Sequence, residues 1–220
     1  MKTLASSRVL YRGAFLFYFL TLLISYSPQS QATSQKVIDL FNILKGHPQN
    51  YEVFGTVCEE VARLRLYKEF PSSLYHITTG IEYGTPTRVI GELDVIIFRK
   101  SDKEAILIGE VKCWKNLKSA RKKANIQLTR FINTIKKNTP LLFRDATYKN
   151  HIFYREQFDE HPDLIAVSQS DPGAPQLFDL TIGIDLAEAT ELRSLLLTCQ
   201  QRGKCPTLNP ALRRARSFRD

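Results

Sequence analysis

Histidine and cysteine are too sparse and too badly spaced in this chain to build a zinc centre. His47, His76, His151 and His161 are scattered, and Cys58, Cys113, Cys199 and Cys205 give no two-plus-two Cys/His spacing. This argues against zinc chemistry and against a histidine-metal nuclease finger. No internal repeat is present. Long apolar runs are also missing, since the stretch Ala14 to Tyr26 (AFLFYFLTLLISY) falls short of the roughly 20 residues that span a bilayer. Acidic residues are outnumbered, 22 against 31 Lys and Arg, for a formal charge of +9. That balance implies an anionic partner such as nucleic acid or a membrane surface and is silent on fold.

What is present suits a soluble domain. The chain has 220 residues, 43% of them hydrophobic and 24% charged, enough for one domain with modest additions. Its beginning reads as a targeting segment. Lys2, Arg8 and Arg12 precede the short apolar run, and Ser30-Gln31-Ala32 offers small residues where a signal peptidase reads. Residues 1–32 are therefore expected to be a signal peptide, with export to the periplasm or medium. The alternatives are a membrane anchor formed by residues 14–26, or a buried N-terminal helix. Loss of Lys2, Arg8 and Arg12 without any acidic residue lowers the charge from +9 to +6, still basic. Cys199 and Cys205 are close enough in sequence to close a small loop in an oxidising compartment. Cys58 and Cys113 lie in apolar segments and are expected as buried thiols.

Periodicity sets out the remaining elements. Lys36 to Leu44 and about Val53 to Phe70 carry apolar residues at helical spacing, stopped by Gly46-His47-Pro48 and Pro71-Ser72-Ser73. Leu74 to Tyr83, Arg88 to Arg99 and Ala105 to Trp114 read as strands, the last two joined by a polar hairpin turn, Lys100 to Glu104. A long helix follows over Leu117 to Lys137, its apolar face made by Leu117, Ala120, Ala124, Leu128, Phe131 and Ile135. Leu164 to Ser168 and Phe178 to Leu186 are further strand candidates, and Ala187 to Leu197 is a helix. One domain is expected over 33–205, with its core at about 53–168, followed by a basic tail at 206–220. The fold class is α/β, a mixed central sheet with helices on both faces.

The chemistry concentrates in the hairpin. Centring its turn on Asp102 sets Asp94 opposite Glu110 and Glu92 opposite Lys112. Alternation then puts Asp94, Glu110 and Lys112 on one face, with Leu93, Val95, Ile97, Leu107, Val111 and Cys113 on the other. Facing carboxylates repel, and a divalent cation between them reverses that penalty. Lys112 is placed to orient a water or to neutralise charge on a phosphate. Gly109 leaves room for another backbone to approach. The competing reading is a solvated sheet face of partly paired charges, disfavoured because these strands are otherwise rich in Ile, Val and Leu.

At Gly55-x-x-x-Glu59, Gly91-Glu92-Leu93-Asp94, Glu110-Val111-Lys112 and a helix bearing Gln127, the sequence resembles the PD-(D/E)XK nuclease superfamily. The likeness is greatest to its restriction-endonuclease-like and Holliday-junction-resolvase-like members, over about Gly55 to Phe131. Leu93 stands where the family name has proline. The resemblance implies a helix, three-stranded meander, helix and strand core. It implies that Asp94 and Glu110 bind Mg²⁺ or Mn²⁺ with the Val111 carbonyl, and that Lys112 works on the attacking water. Glu59 is implied as a supporting carboxylate, with Glu60 as its competitor, and Gln127 as a helper on the face it shares with Lys123 and Arg130.

The implied activity is metal-dependent hydrolysis of phosphodiester bonds in nucleic acid, DNA in preference to RNA, without a small-molecule cofactor. A homodimer is left open. Residues 115–137 carry no acidic residue, and Lys118, Lys122, Lys123 and Arg130 are candidates for tracking a phosphate backbone, against the plainer reading of a solvated helix face. Trp114 is expected to pack against the sheet, with base stacking as the alternative. Glu156, Asp159, Glu160 and Asp163 are read as a surface loop. Two other classes compete with the nuclease. One is a nuclease-like binding module without turnover, and the other is a basic envelope protein that meets anionic lipid.

Overall fold

The computed structural model describes residues 33–137, 140–147, 151–158 and 162–208. The expected signal segment, the alternative anchor at 14–26, Asp159 and Glu160, and most of the basic tail lie outside these. Helix α1 (Gln35–Leu44) begins where the Ser34 hydroxyl accepts from the Val37 amide, and α2 (Phe54–Leu66) follows. Strands β1 (Tyr75–Thr85), β2 (Arg88–Arg99) and β3 (Ala105–Lys112) form an antiparallel meander. Helix α3 (Leu117–Lys136), capped by the Asn116 side chain on the Ser119 amide, leads toward β4 (Leu142–Asp145) and β5 (Ile152–Phe153). Then come β6 (Asp163–Ser168), β7 (Leu180–Thr181) and α4 (Leu186–Gln201).

The protein is α/β, with a seven-stranded mixed sheet in the order β5-β4-β1-β2-β3-β6-β7. Strand β6 lies parallel to β3, and β7 parallel to β6, while the other neighbours are antiparallel. Both faces are covered. On one, Val57, Cys58, Val61 and Ala62 of α2 and Ala189, Leu192 and Leu196 of α4 pack on Val95, Ile97 and Val111. On the other, Leu128 and Phe131 of α3 pack on Ile96, Ile108 and Phe143. The buried face of α3 is the expected one, with Ala120, Ala124, Leu128 and Phe131 inside.

Leu93 departs from its expected face. It lies in the α3-side cluster, whereas Val95 and Ile97 lie in the α2-side cluster. The same exchange occurs across the ladder on β1 between Ile77 and Ile81. Gly80, whose φ of +68° is left-handed, falls at the change and opposite Asp94's stretch of β2, so the pair of strands turns over there. The site residues sit at this turn.

Two further expectations are corrected, and two strands are new. Cys58 and Cys113 are not thiols but a disulfide joining α2 to the residue after β3; Cys199 and Cys205 form a second disulfide. The strand expected over Phe178 to Leu186 shrinks to Leu180–Thr181. Left-handed Gly183 ends it, and Asp185 already starts α4 through a capping box with Glu188. Strands β4 and β5 were not foreseen. Each is short, and Phe143 and Phe153 reveal their role only in the aromatic cluster with Phe98, Phe131 and Phe158.

Gly109 admits a side chain rather than a backbone, because a Cβ there would lie 2.6 Å from Val95 Cγ1. Gly109→Ala should therefore cost about 1–3 kcal/mol in denaturant unfolding, as overpacking does. Gly46→Ala, with nothing within 4 Å, should stay within about 0.5 kcal/mol of the parent.

Candidate active site

The expected hairpin register holds over three pairs, Val95 with Gly109, Ile96 with Ile108 and Ile97 with Leu107, and then stops. Beyond Val95 and Gly109, β2 continues beside β1 while β3 continues beside β6 as far as Lys112 opposite Ser168. Asp94 and Glu110 therefore stand at a fork, not as a ladder pair. The Asp94 carboxylate fills part of that fork by accepting the Val111 amide at 2.8 Å. Glu92 is not opposite Lys112; it pairs across β1 with Glu82 and is exposed.

Lys112 ties the fork together. Its Nζ lies 2.8 Å from Asp94 Oδ2, 2.5 Å from Glu110 Oε1 and 3.1 Å from the Val111 carbonyl. Asp94 and Glu110 are both buried, and their side chains are 9% and 1% exposed. Burial first, then the Asp94 charge, pushes the Glu110 carboxyl up to about 8, with Lys112 acting against the rise. Burial opposes the charge on Lys112, but Asp94 and Glu110 outweigh it and hold its pKa above the ordinary lysine value. Ser168 fixes the end of the strand by donating to the Lys112 carbonyl at 3.0 Å, and Gln169 donates to the Trp114 carbonyl at 2.8 Å.

Of the two helix carboxylates, Glu60 is engaged in structure. It accepts from Thr79 Oγ1 at 2.7 Å, from Gln49 at 3.2 Å and from both Arg63 Nε and Nη2. Glu59 is near enough to Asp94, Glu92 and Lys112 to feel their charges, and it borders a small cavity with Thr79, Gly80 and Glu92. Burial and the charges of Asp94 and Glu92 raise its pKa well above 4.5, and Lys112 offsets part of this. Gly55, one turn earlier, supplies the space, since a Cβ there would lie 2.9 Å from Glu59 Oε1.

Gln127 is less closely joined. Its Oε1 is buried without a hydrogen-bond partner, and no described hydrogen bond links it to Asp94, Glu110 or Lys112. Arg130 donates to the Ile90 carbonyl at 3.3 Å. Lys118, Lys122 and Arg130 line an open groove along α3 with Asn125, Thr129 and Lys137, while Lys123 is exposed outside it. Arg121 is engaged by Asp179 at 2.6 Å. Trp114 does not pack away as expected; it is 42% exposed beside the end of β3. Sequence reasoning missed Tyr83, whose ring sits near enough to Glu110 and Arg130 to feel both charges, and the cystine flanking Glu59 and Lys112. The adjacency of Cys58 to Glu59 and of Cys113 to Lys112 was the available signal.

Whether this site suits a divalent metal can be judged from the ammonium it holds. Three oxygens, from Asp94, Glu110 and Val111, already converge on one cationic atom, and hard oxygen donors are what Mg²⁺ and Mn²⁺ take. Among the described residues no group of three or more His, Cys, Asp or Glu side chains could by itself hold a metal. Two carboxylates and a carbonyl would leave the rest of the shell to water and phosphate oxygens, the usual arrangement for Mg²⁺. Comparison with protein-family models, curated proteins and solved structures gave no match to this chain.

The buried carboxyls carry a pH signature. A carboxyl whose folded pKa exceeds its unfolded value binds more protons when folded, so its contribution falls as pH rises between the two values. For Glu110 the window runs from 4.5 to about 8. Melting temperature measured in chelator should decline across it, and Glu110→Gln should flatten the decline. An unchanged slope would remove Glu110 as the source.

Proposed function

We propose that this chain is a divalent-metal-dependent phosphodiesterase of the PD-(D/E)XK nuclease type, cleaving nucleic acid, DNA before RNA. The observation that carries the reading is the convergence of Asp94, Glu110 and the Val111 carbonyl on one cationic position at the β2–β3 fork, with Lys112 in the same contact. The order α2, β1–β2–β3, α3, β6 supports it, as does Glu59 on α2 within range of the Asp94 and Lys112 charges.

Asp94, Glu110 and the Val111 carbonyl would hold Mg²⁺ or Mn²⁺. Bound there, the metal would supply Lewis-acid polarisation of a phosphoryl oxygen and a more acidic water. The chain's own groups divide the remaining work. Lys112, charged at neutral pH and movable on a flexible stem, orients the water and neutralises charge gathering on the phosphate. The Glu59 carboxyl, whose pKa burial and Asp94 raise, would support the metal or a water bound to it from the helix side. The exposed cations of α3, Lys118, Lys122, Lys123 and Arg130, draw in the phosphate backbone. Exposed Trp114 offers a stacking surface for a base.

Two disulfides among the described residues favour action in an oxidising compartment, and hence export. No described helix is long and apolar enough to cross a membrane.

The test is cleavage of DNA and RNA by the purified chain with Mg²⁺ or Mn²⁺ and in chelator. Asp94→Ala and Glu110→Ala should drop metal-dependent cleavage below detection. Lys112→Ala should keep metal affinity and lose about 10²–10³ in kcat, the cost of removing one transition-state charge partner. Parent-level cleavage by Glu110→Ala and Lys112→Ala would place the chemistry elsewhere. Neutralising Lys122 and Lys123 together should weaken binding and reduce the slope of log K against log salt by about two. A binding module without turnover would show that salt slope and no cleavage. A lipid-surface protein would bind anionic vesicles and not nucleic acid.

A further inference from the structure

The cystine Cys58–Cys113 joins the two elements that carry the site. Cys58 precedes Glu59 on α2, and Cys113 follows Lys112 at the end of β3; the Cα atoms are 6.4 Å apart and both residues are buried. Glu59 lies near enough to Asp94, Glu92, Lys112 and Glu60 for their charges to act on it. Val53 at the N-cap of α2 makes no side-chain cap, and the segment before it is held by Arg193, which donates to the Tyr51 and Glu52 carbonyls. Alongside the apolar packing of Val57, Val61 and Ala62, the cystine is a covalent link between this helix and the end of β3, one residue from Glu59. The other cystine, Cys199–Cys205, lies at the end of α4, spans only six residues and joins neither site element.

We propose that Cys58 and Cys113 are positioning residues, whose disulfide brings Glu59 into the cation centre of Asp94, Glu110 and Lys112, so that the centre is complete only in the oxidised protein. The inference rests on the reading of that centre as a metal site. Its redox step balances simply. A dithiol donates two electrons and two protons, the Sγ–Sγ bond breaks to give thiols at Cys58 and Cys113, and the dithiol becomes its own disulfide. Oxidation by a disulfide donor reverses each change. A nuclease built this way is held back in a reducing cytoplasm and completed after export.

The experiment is a double-mutant cycle read by Mn²⁺ titration calorimetry. The reference chain is Cys199→Ala/Cys205→Ala, so that one cystine remains. Glu59→Gln and Cys58→Ala/Cys113→Ala are added separately and together. Each change alone should weaken Mn²⁺ binding by about 10-fold, as loss of outer support does. Together they should cost little more than either, because without the cystine Glu59 is no longer in place. If the effects multiply, or if removing the cystine lowers only the melting temperature, the disulfide is a general staple and the proposal fails. Should the Cys58→Ala/Cys113→Ala chain not fold, the same cycle is run on the reference chain with Cys58–Cys113 reduced by dithiothreitol. DNA cleavage measured alongside separates the two readings. Coupling without cleavage retains the positioning role and rejects the nuclease, and cleavage without coupling does the reverse. A reference chain that binds no Mn²⁺ overturns both.

Discussion

Two carboxyl groups, Asp94 and Glu110, are buried within reach of one ammonium, and most of the local structure answers the cost of putting them there. An ionised carboxylate deprived of water is destabilising by several kcal/mol unless it is paired and hydrogen-bonded. Asp94 is satisfied by the Val111 amide and Lys112, and Glu110 by Lys112 with its pKa driven up. To place them so, β2 and β3 separate after Val95 and Gly109, and the β1–β2 pair turns over at Gly80. Helices α2 and α4 cover one side of the sheet around the fork, and α3 covers the other.

The unusual composition of the fork is its clearest functional sign. A structural ion pair is content with one carboxylate per ammonium, whereas here two acids and a carbonyl share one, with a third acid, Glu59, pressing in from α2. Such an arrangement has oxygen donors to spare for a divalent cation. Glu60 makes the contrast within one helix, because Arg63, Thr79 and Gln49 satisfy it completely enough to be structural.

Local pattern and turn chemistry were legible in the sequence. The hairpin register from Ile97 to Val95 and the apolar face of α3 followed from alternation and a polar turn; Asp94, Glu110 and Lys112 do gather, but at a fork and not as the expected ladder pair. The failures are long-range. Leu93 changed face because a left-handed glycine on a neighbouring strand turned β2 over, and alternation along β2 cannot register that. The pairing of Cys58 with Cys113 spans 55 residues, and burial alone reads the same for a thiol as for a cystine. The choice of Glu59 over Glu60 depended on which carboxylate Arg63 and Thr79 would claim. Strands β4 and β5 exist through aromatic contacts with α3 and β2 rather than through any period of their own.

The central claim is that the β2–β3 fork is a divalent-cation centre, and its most direct test is a crystal of the protein grown with Mn²⁺ and recorded at a wavelength where manganese scatters anomalously. One anomalous peak or a close pair is expected within coordination distance of the Asp94 and Glu110 carboxylates and the Val111 carbonyl, with the Lys112 ammonium moved aside. A manganese peak elsewhere, or none at saturating Mn²⁺ with Lys112 still bonded to both carboxylates, would contradict it.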